Sequence, residues 1–207
     1  MKKILFLFMF FLLSIKANAQ FGFGTVKGID LYQKYNNPID KIAHNGAGNT
    51  LLNFIWGPRL WLGGKSFSLS LEAQINLGIT SLALKDYKGL GAISFPALLK
   101  FNYKGLSGFY PGFADGFSLG VGMQWFKTEL FYLSDKYSNL GVQREFNKVY
   151  IAQIDFGYGS FGSSGAMYLR YGRNFETKAS VFNIGLVFSV NKLYIKKHLK
   201  YKKKREG

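Results

Sequence analysis

The sequence predicts an all-β fold, an eight-stranded antiparallel transmembrane β-barrel. Three observations carry that expectation. Apolar and polar residues alternate at period two in segment after segment, which is the side-chain period of a strand. The longest run, residues 66–80, far exceeds the five or six residues usual for soluble strands and is long enough to cross a bilayer at the usual tilt. Composition agrees: aromatic residues make up 18%, charged residues only 18%, and there are 25 glycines. A soluble helical protein would carry more Ala, Glu and Leu.

The N-terminus reads as an export signal. Lys2 and Lys3 form a positive start, Ile4 to Ile15 an apolar run, and Ala17-Asn18-Ala19 a cleavage pattern. An anchoring helix is the competing reading, but the run is short for about 30 Å of hydrocarbon. The expected division is a cleaved signal over 1–19, a barrel over 20–191 and a basic tail over 192–207. The expected location is the outer membrane of a Gram-negative bacterium, with the C-terminus in the periplasm. Of the net charge of +16, the signal contributes +3 and the tail +7, which leaves +6 for the body. Export removes nucleic acid from the partners. The absence of cysteine excludes disulfides, thiolate metal sites and a cysteine nucleophile.

The strands follow in order. A first strand near 21–32 is required for closure, although its alternation is the weakest. Residues 51–62 place Leu52, Phe54, Trp56, Leu60 and Leu62 outward, with Asn53 and Arg59 inward. In 66–80, Phe67, Leu69, Leu71, Ala73, Ile75, Leu77 and Ile79 oppose a polar face that includes Glu72. Residues 92–103 set Ile93, Phe95, Ala97, Leu99, Phe101 and Tyr103 against Ser94, Lys100 and Asn102. Residues 117–125, 149–158, 166–175 and 181–190 repeat the pattern, with Gln153 and Asp155 inward in the second and Arg170 in the third. Eight is an even number, as bacterial single-chain barrels require, and closure leaves no edge unpaired in lipid. Pro58 and Pro96 lack a donor, so bulges are expected there. Residues 33–50 and 134–147 read as outer loops and Gly63-Gly64-Lys65 as a turn. The connection 105–116 is long for a turn, and 176–180 is short for an outer loop.

With this pattern the chain resembles the small OmpA/OmpX-type outer-membrane barrels over about residues 21–190. Its last strand, Asn183-Ile184-Gly185-Leu186-Val187-Phe188-Ser189-Val190, looks like the signal that barrel-assembly machinery reads, carried by Asn183, Gly185, Phe188 and Val190. Chains of that type usually stop at an aromatic residue, whereas this one continues for seventeen residues. Secretion-accessory barrels of the PorT type are similar in size and export signal, and no residue motif selects them.

Five charged residues have inward parity: Arg59, Glu72, Lys100, Asp155 and Arg170. The expectation is a network that fills the lumen, because an unpaired buried charge is costly; a polar conduit is the alternative. No catalytic residues are assigned. The further alternative, a lipid A-modifying enzyme at the outer rim of the acyltransferase or deacylase kind, would need His with Ser and an acid there. His44, Ser81, Asp86, Ser134 and Asp135 read instead as loop polarity. No metal or cofactor is expected, because ligand spacing is missing and the glycine pairs Gly22/Gly24 and Gly157/Gly159 precede no helix. The tail concentrates Lys196, Lys197, Lys200, Lys202, Lys203, Lys204 and Arg205. It reads either as a solvated tail or as an adhesive for anionic lipid, peptidoglycan or an acidic partner. Trp56, Trp61 and Trp125 are expected at lipid interfaces or partner contacts. The functional expectation is a non-enzymatic structural or adaptor barrel in an envelope assembly or secretion complex, with a small transport barrel as the alternative. Its partners would be outer-membrane lipid, the assembly machinery and an envelope complex.

Overall fold

The computed structural model describes residues 19–36, 48–78, 80–81, 89–132 and 146–206. The expected signal residues before 19 lie outside that set. Eight spans form the wall. They are β1 (Gln20–Asn36), β2 (Gly48–Leu51 with Asn53–Gly63), β3 (Phe67–Ala73, Ile75–Gly78 and Thr80–Ser81) and β4 (Gly89–Lys104). They continue with β5 (Ala114–Tyr132), β6 (Asn147–Ser160), β7 (Ser163–Arg173) and β8 (Ser180–Asn191). Each pairs antiparallel with its sequence neighbour, and β8 pairs with β1, so the sheet closes. A helix, α1 (Lys192–Glu206), follows directly from β8.

The expected alternation holds on every wall segment where it was assigned and the side chains are described. In β3, Phe67, Leu69, Leu71 and Ala73 are exposed while Ser68, Ser70 and Glu72 are buried. In β8, Asn183, Gly185, Val187 and Ser189 are buried while Leu186 and Phe188 are exposed. Successive side chains must point to opposite faces, so one face meets the lumen and the other the surroundings. Ser160 pairs with Ser163 across a two-residue turn in which Phe161 and Gly162 have φ of 47° and 84°. Two positive φ values mark a turn whose twist matches the flanking strands.

The expected bulges at Pro58 and Pro96 are corrected. The register runs unbroken through Thr25↔Pro58 and through Pro96↔Gln124. The shifts fall instead between Asp30 and Tyr32 and between Leu90 and Ala92. Both prolines lie across from β3 near Gln74, where β3 itself is interrupted. A gap in the ladder, rather than an inserted residue, absorbs the missing donors. The Gln74 N–H donates to the Pro96 carbonyl at 2.8 Å.

The connection after β4 is not a simple turn. Gly105–Ser107 forms a 3₁₀ turn, and Leu106, Ser107 and Phe109 are buried inside the end of the barrel. This end, which also carries the 161–162 turn and α1, is called the turn end here; the opposite is the loop end.

Gly57 sits on β2 against the backbone of β3. A Cβ there would lie 1.8 Å from the Ala73 carbonyl oxygen. Gly57→Ala is expected to lower unfolding stability by about 1–3 kcal/mol through forced backbone movement. Gly112→Ala, where the nearest atom is 3.9 Å away, is expected to stay within about 0.5 kcal/mol. Urea titration of the refolded chain, followed by tryptophan fluorescence, measures both.

Candidate functional site: a filled lumen and two girdles

Side chains occupy the lumen from one end to the other. At the turn end, the Ser68 hydroxyl donates to the Ser107 carbonyl at 2.7 Å, and the Ser107 hydroxyl donates to the Lys65 carbonyl at 2.6 Å. Above this plug lies Arg59. It donates to Asn102 Oδ1 at 2.6 Å and to Ser70 Oγ at 3.0 Å, and its guanidinium lies 4.9 Å from the Trp61 ring centroid. Trp61 is 1% exposed. Its expected place at a lipid interface is therefore corrected: it shares inward parity with Arg59 and packs inside.

The ionic centre comes next. Lys100 Nζ lies 3.4 Å from Glu72 and 3.2 Å from Asp155, and Arg59 Nε lies 3.4 Å from Glu72. Gln74 donates to the other Glu72 oxygen. Arg170 donates to Gln153 at 2.6 Å and to Gln74 at 2.7 Å, and Gln153 donates to Asp155 at 2.6 Å. All five charged residues expected in the lumen are buried there, and the structure joins them in one network.

The sequence reading missed Asp30. Its carboxylate is fully buried and accepts from Asn183 at 3.0 Å, Asn53 at 3.3 Å and Asn76 at 3.4 Å. Gln33 joins the group by accepting from Asn183 and Asn53. Asp30 stands at the register shift in β1, where alternation breaks. Charge counting offered the missing signal. Arg59, Lys100 and Arg170 against Glu72 and Asp155 leave an excess of one positive charge, and Asp30 balances it.

Toward the loop end, apolar side chains pack inside the barrel. Tyr35, Phe126, Val149, Ile151, Ala179 and Val181 form one buried cluster with Leu98. A second buried cluster, Val26, Ile55, Tyr168 and Val187, lines the lumen beside the ionic centre.

The outer wall is apolar and zoned. Near the turn end, Phe67, Phe101, Tyr103 and Phe117 form a chain of rings with centroids 5.0–5.7 Å apart, and Phe113 stacks on Tyr158 at 5.5 Å. Exposed Leu71, Leu99, Leu119, Val121 and Leu169 form the middle. Toward the loop end come Trp125, Tyr150, Tyr171 and Phe175, with Lys148 Nζ 5.5 Å from the Tyr150 ring centroid. Trp56 and Trp125 are exposed on this wall, on the outward parity of their strands.

The expected assembly-signal residues have structural duties. Asn183 holds Asp30 and Gln33. Gly185 leaves room for the Tyr168 ring, 2.7 Å from where a Cβ would stand. Phe188 and Val190 lie on the outer parity.

The basic tail is helical. Asn191 caps it: its Oδ1 accepts the Tyr194 N–H at 3.2 Å, while its Nδ2 donates to the Gly108 carbonyl at 3.0 Å. Tyr194 lies 5.8 Å from Phe109, and His198 lies 5.4 Å from Phe161, between ring centroids. The helix start is thus fastened to the plug. Lys192, Lys196, Lys197 and Lys200 are exposed, and Lys202, Lys203, Lys204 and Arg205 follow on the same helix. Like charges argue for a solvated coil; the cap and the ring contacts counter that tendency.

His44, Asp86, Ser134 and Asp135 lie outside the described residues. Among the described residues no group of three His, Cys, Asp or Glu side chains could hold a metal ion. No helix among them is long and apolar enough to cross a membrane, which says nothing about strands.

No protein-family model matches the chain, and no curated protein sequence does. Among solved structures it is similar to Neisserial surface protein A, at 10% identity and TM-score 0.46, over 84% of this chain and 99% of that one. It is also similar to the outer membrane protein OprG from Pseudomonas aeruginosa, at 16% identity and TM-score 0.42, over 84% of this chain and 94% of that one. The outer membrane enzyme PagL matches at 12% identity and TM-score 0.40, over 80% of this chain and 98% of that one.

Lys100 holds two buried carboxylates apart from each other. Lys100→Met is expected to cost about 3–5 kcal/mol, because it leaves Asp155 without its ammonium partner and Glu72 with Arg59 alone. Lys100→Met combined with Asp155→Asn is expected to recover part of that loss. Equal destabilisation of the single and double variants in urea titrations would show that the ion pairs do not couple.

Proposed function

We propose that the chain is a non-conducting barrel of the Gram-negative outer membrane that serves as a structural or adaptor component of an envelope complex. The observation that carries this reading is the lumen, filled end to end by the plug, the ionic network and the apolar cluster at the loop end. An eight-stranded barrel is just wide enough for side chains to fill. Among the described residues, the polar side chains that run along the lumen from Ser68 to Thr50 are buried and bond to one another, so they occupy the space rather than line a water path.

The outer wall supports membrane insertion. Aromatic girdles flanking an aliphatic band are what a bilayer demands of a barrel, and in water so large an apolar surface would drive association. On this reading the turn end faces the periplasm, because short turns gather there. The basic helix then lies at the inner face of the membrane. Its exposed Lys192, Lys196, Lys197 and Lys200 suit an anionic surface, whether lipid head groups, peptidoglycan carboxylates or an acidic protein. Each could contribute about 1 kcal/mol near an anionic membrane. The secretion-accessory role belongs to the same proposal. So does recognition of Asn183, Gly185, Phe188 and Val190 by assembly machinery.

A planar-bilayer recording tests the sealed lumen. The refolded chain is expected to give no conductance steps, and stable single-channel openings would favour a permeation barrel instead. Deletion of residues 192–207 tests the helix. Binding to vesicles rich in anionic lipid, or retention of envelope partners, is expected to fall several-fold, and unchanged association would remove the helix from the proposal.

A further inference from the structure

A cation stands at mid-height on the outer face of the wall. Lys27 lies near the middle of β1 and is exposed, while its neighbours Val26 and Gly28 point inward and Val26 is fully buried. It pairs with Trp56 on β2 and Phe188 on β8, both exposed apolar residues. At the usual rise and tilt it sits roughly 17 Å above the turn end. That is well inside an apolar band about 25 Å tall. Among the described residues no ion pair or ring contact holds it. A lipid-facing charge at that depth is costly and by default marks a functional surface.

The wall beside it is concave. A groove of about 750 Å³ runs over β6, β7 and β8, lined by Phe156, Met167, Leu186, Phe188 and Val190, with Gly157 and Gly165 in its lining. Phe188 and Leu186 border both the groove and the β1 strand that carries Lys27.

We propose that this wall docks an apolar, membrane-embedded segment of a different protein, which seats in the groove and offers one carboxylate to Lys27. The inference rests on the membrane reading above and names the surface that an adaptor would use. A carboxylate in a membrane span is the chemistry that pairs with a buried ammonium. Phosphates of lipid head groups lie at the interface, too far along the barrel axis for the Lys27 side chain, and acyl chains carry no anion. A second copy of this chain is a poor match. Its strand carboxylates either point inward, as Asp30, Glu72 and Asp155 do, or stand near an end of the barrel, as Asp115 at the turn end and Glu129 toward the loop end do. Two Lys27 ammonium groups would also repel.

Two experiments on the full chain test this. In phospholipid vesicles, Lys27→Met is expected to raise the folded-to-unfolded ratio of the isolated barrel on the order of 100-fold. No change would overturn the placement of Lys27. In host membranes, Trp56→p-benzoylphenylalanine is expected to photocrosslink to a protein whose adduct peptide is an apolar span containing Asp or Glu. Lys27→Glu should abolish the adduct, and changing that partner carboxylate to Lys should restore it. An adduct with lipid alone, with a second copy, or one indifferent to Lys27→Glu overturns the proposal. If the chain fails to float with vesicles at all, the membrane reading falls; if it floats and the Lys27 variants change nothing, only the docking surface falls.

Discussion

Six buried charges in a closed ring of strands set the terms for the rest of the structure. Arg59, Lys100 and Arg170 meet Asp30, Glu72 and Asp155 in a space only side chains can fill. None is free to leave, because closure of β8 on β1 removes every edge through which the lumen could open. Glu72 and Asp155 pair with Arg59 and Lys100. Asp30 and Arg170 bond to the amides of Asn53, Asn183, Gln74 and Gln153, and among the described residues Asp30 Oδ1 and Arg170 Nη1 have no hydrogen bond. Pairing of this kind does little for net stability, but losing one member is severe. The network fixes which faces of the strands turn inward, and the apolar outer wall follows from that.

The two ends are packed by different means. The loop end uses Tyr35, Phe126 and their aliphatic neighbours. The turn end uses a folded connection, with Phe109 inside the barrel end and Tyr194 of the helix against it. Asn191 ties strand, plug and helix together by bonding Gly108 with one side-chain atom and capping α1 with the other. Barrel closure and tail structure are therefore one problem, solved at a single residue. The start of the basic helix is held at a defined place by these contacts.

Much of this was legible in the sequence. A period of two is a direct imprint of a strand with unlike faces, and it located the five lumen charges and nearly all the outward aromatics. Most of the failures lie where local geometry breaks that period or overrides local propensity. Asp30 was lost at a register shift in β1. Trp61 was sent outward because of its residue type, although its parity with Arg59 points inward. Pro58 and Pro96 suggested bulges, whereas a gap in β3 near Gln74 serves both. The tail gave no helix signal, because a run of lysines opposes one and the cap at Asn191 makes sense only beside Gly108. The long connection 105–116 looked like a flaw in the topology and is instead the plug.

The most direct test of a sealed, membrane-embedded barrel uses its three tryptophans, one inside the wall and two outside. Chains that keep only one of Trp56, Trp61 or Trp125 would be refolded into vesicles containing brominated lipid, then exposed separately to aqueous iodide. The account predicts strong lipid quenching of Trp56 and Trp125, with Trp61 shielded from both lipid and iodide. Iodide quenching of Trp61 would mean an open lumen, and absence of lipid quenching at all three sites would contradict membrane insertion.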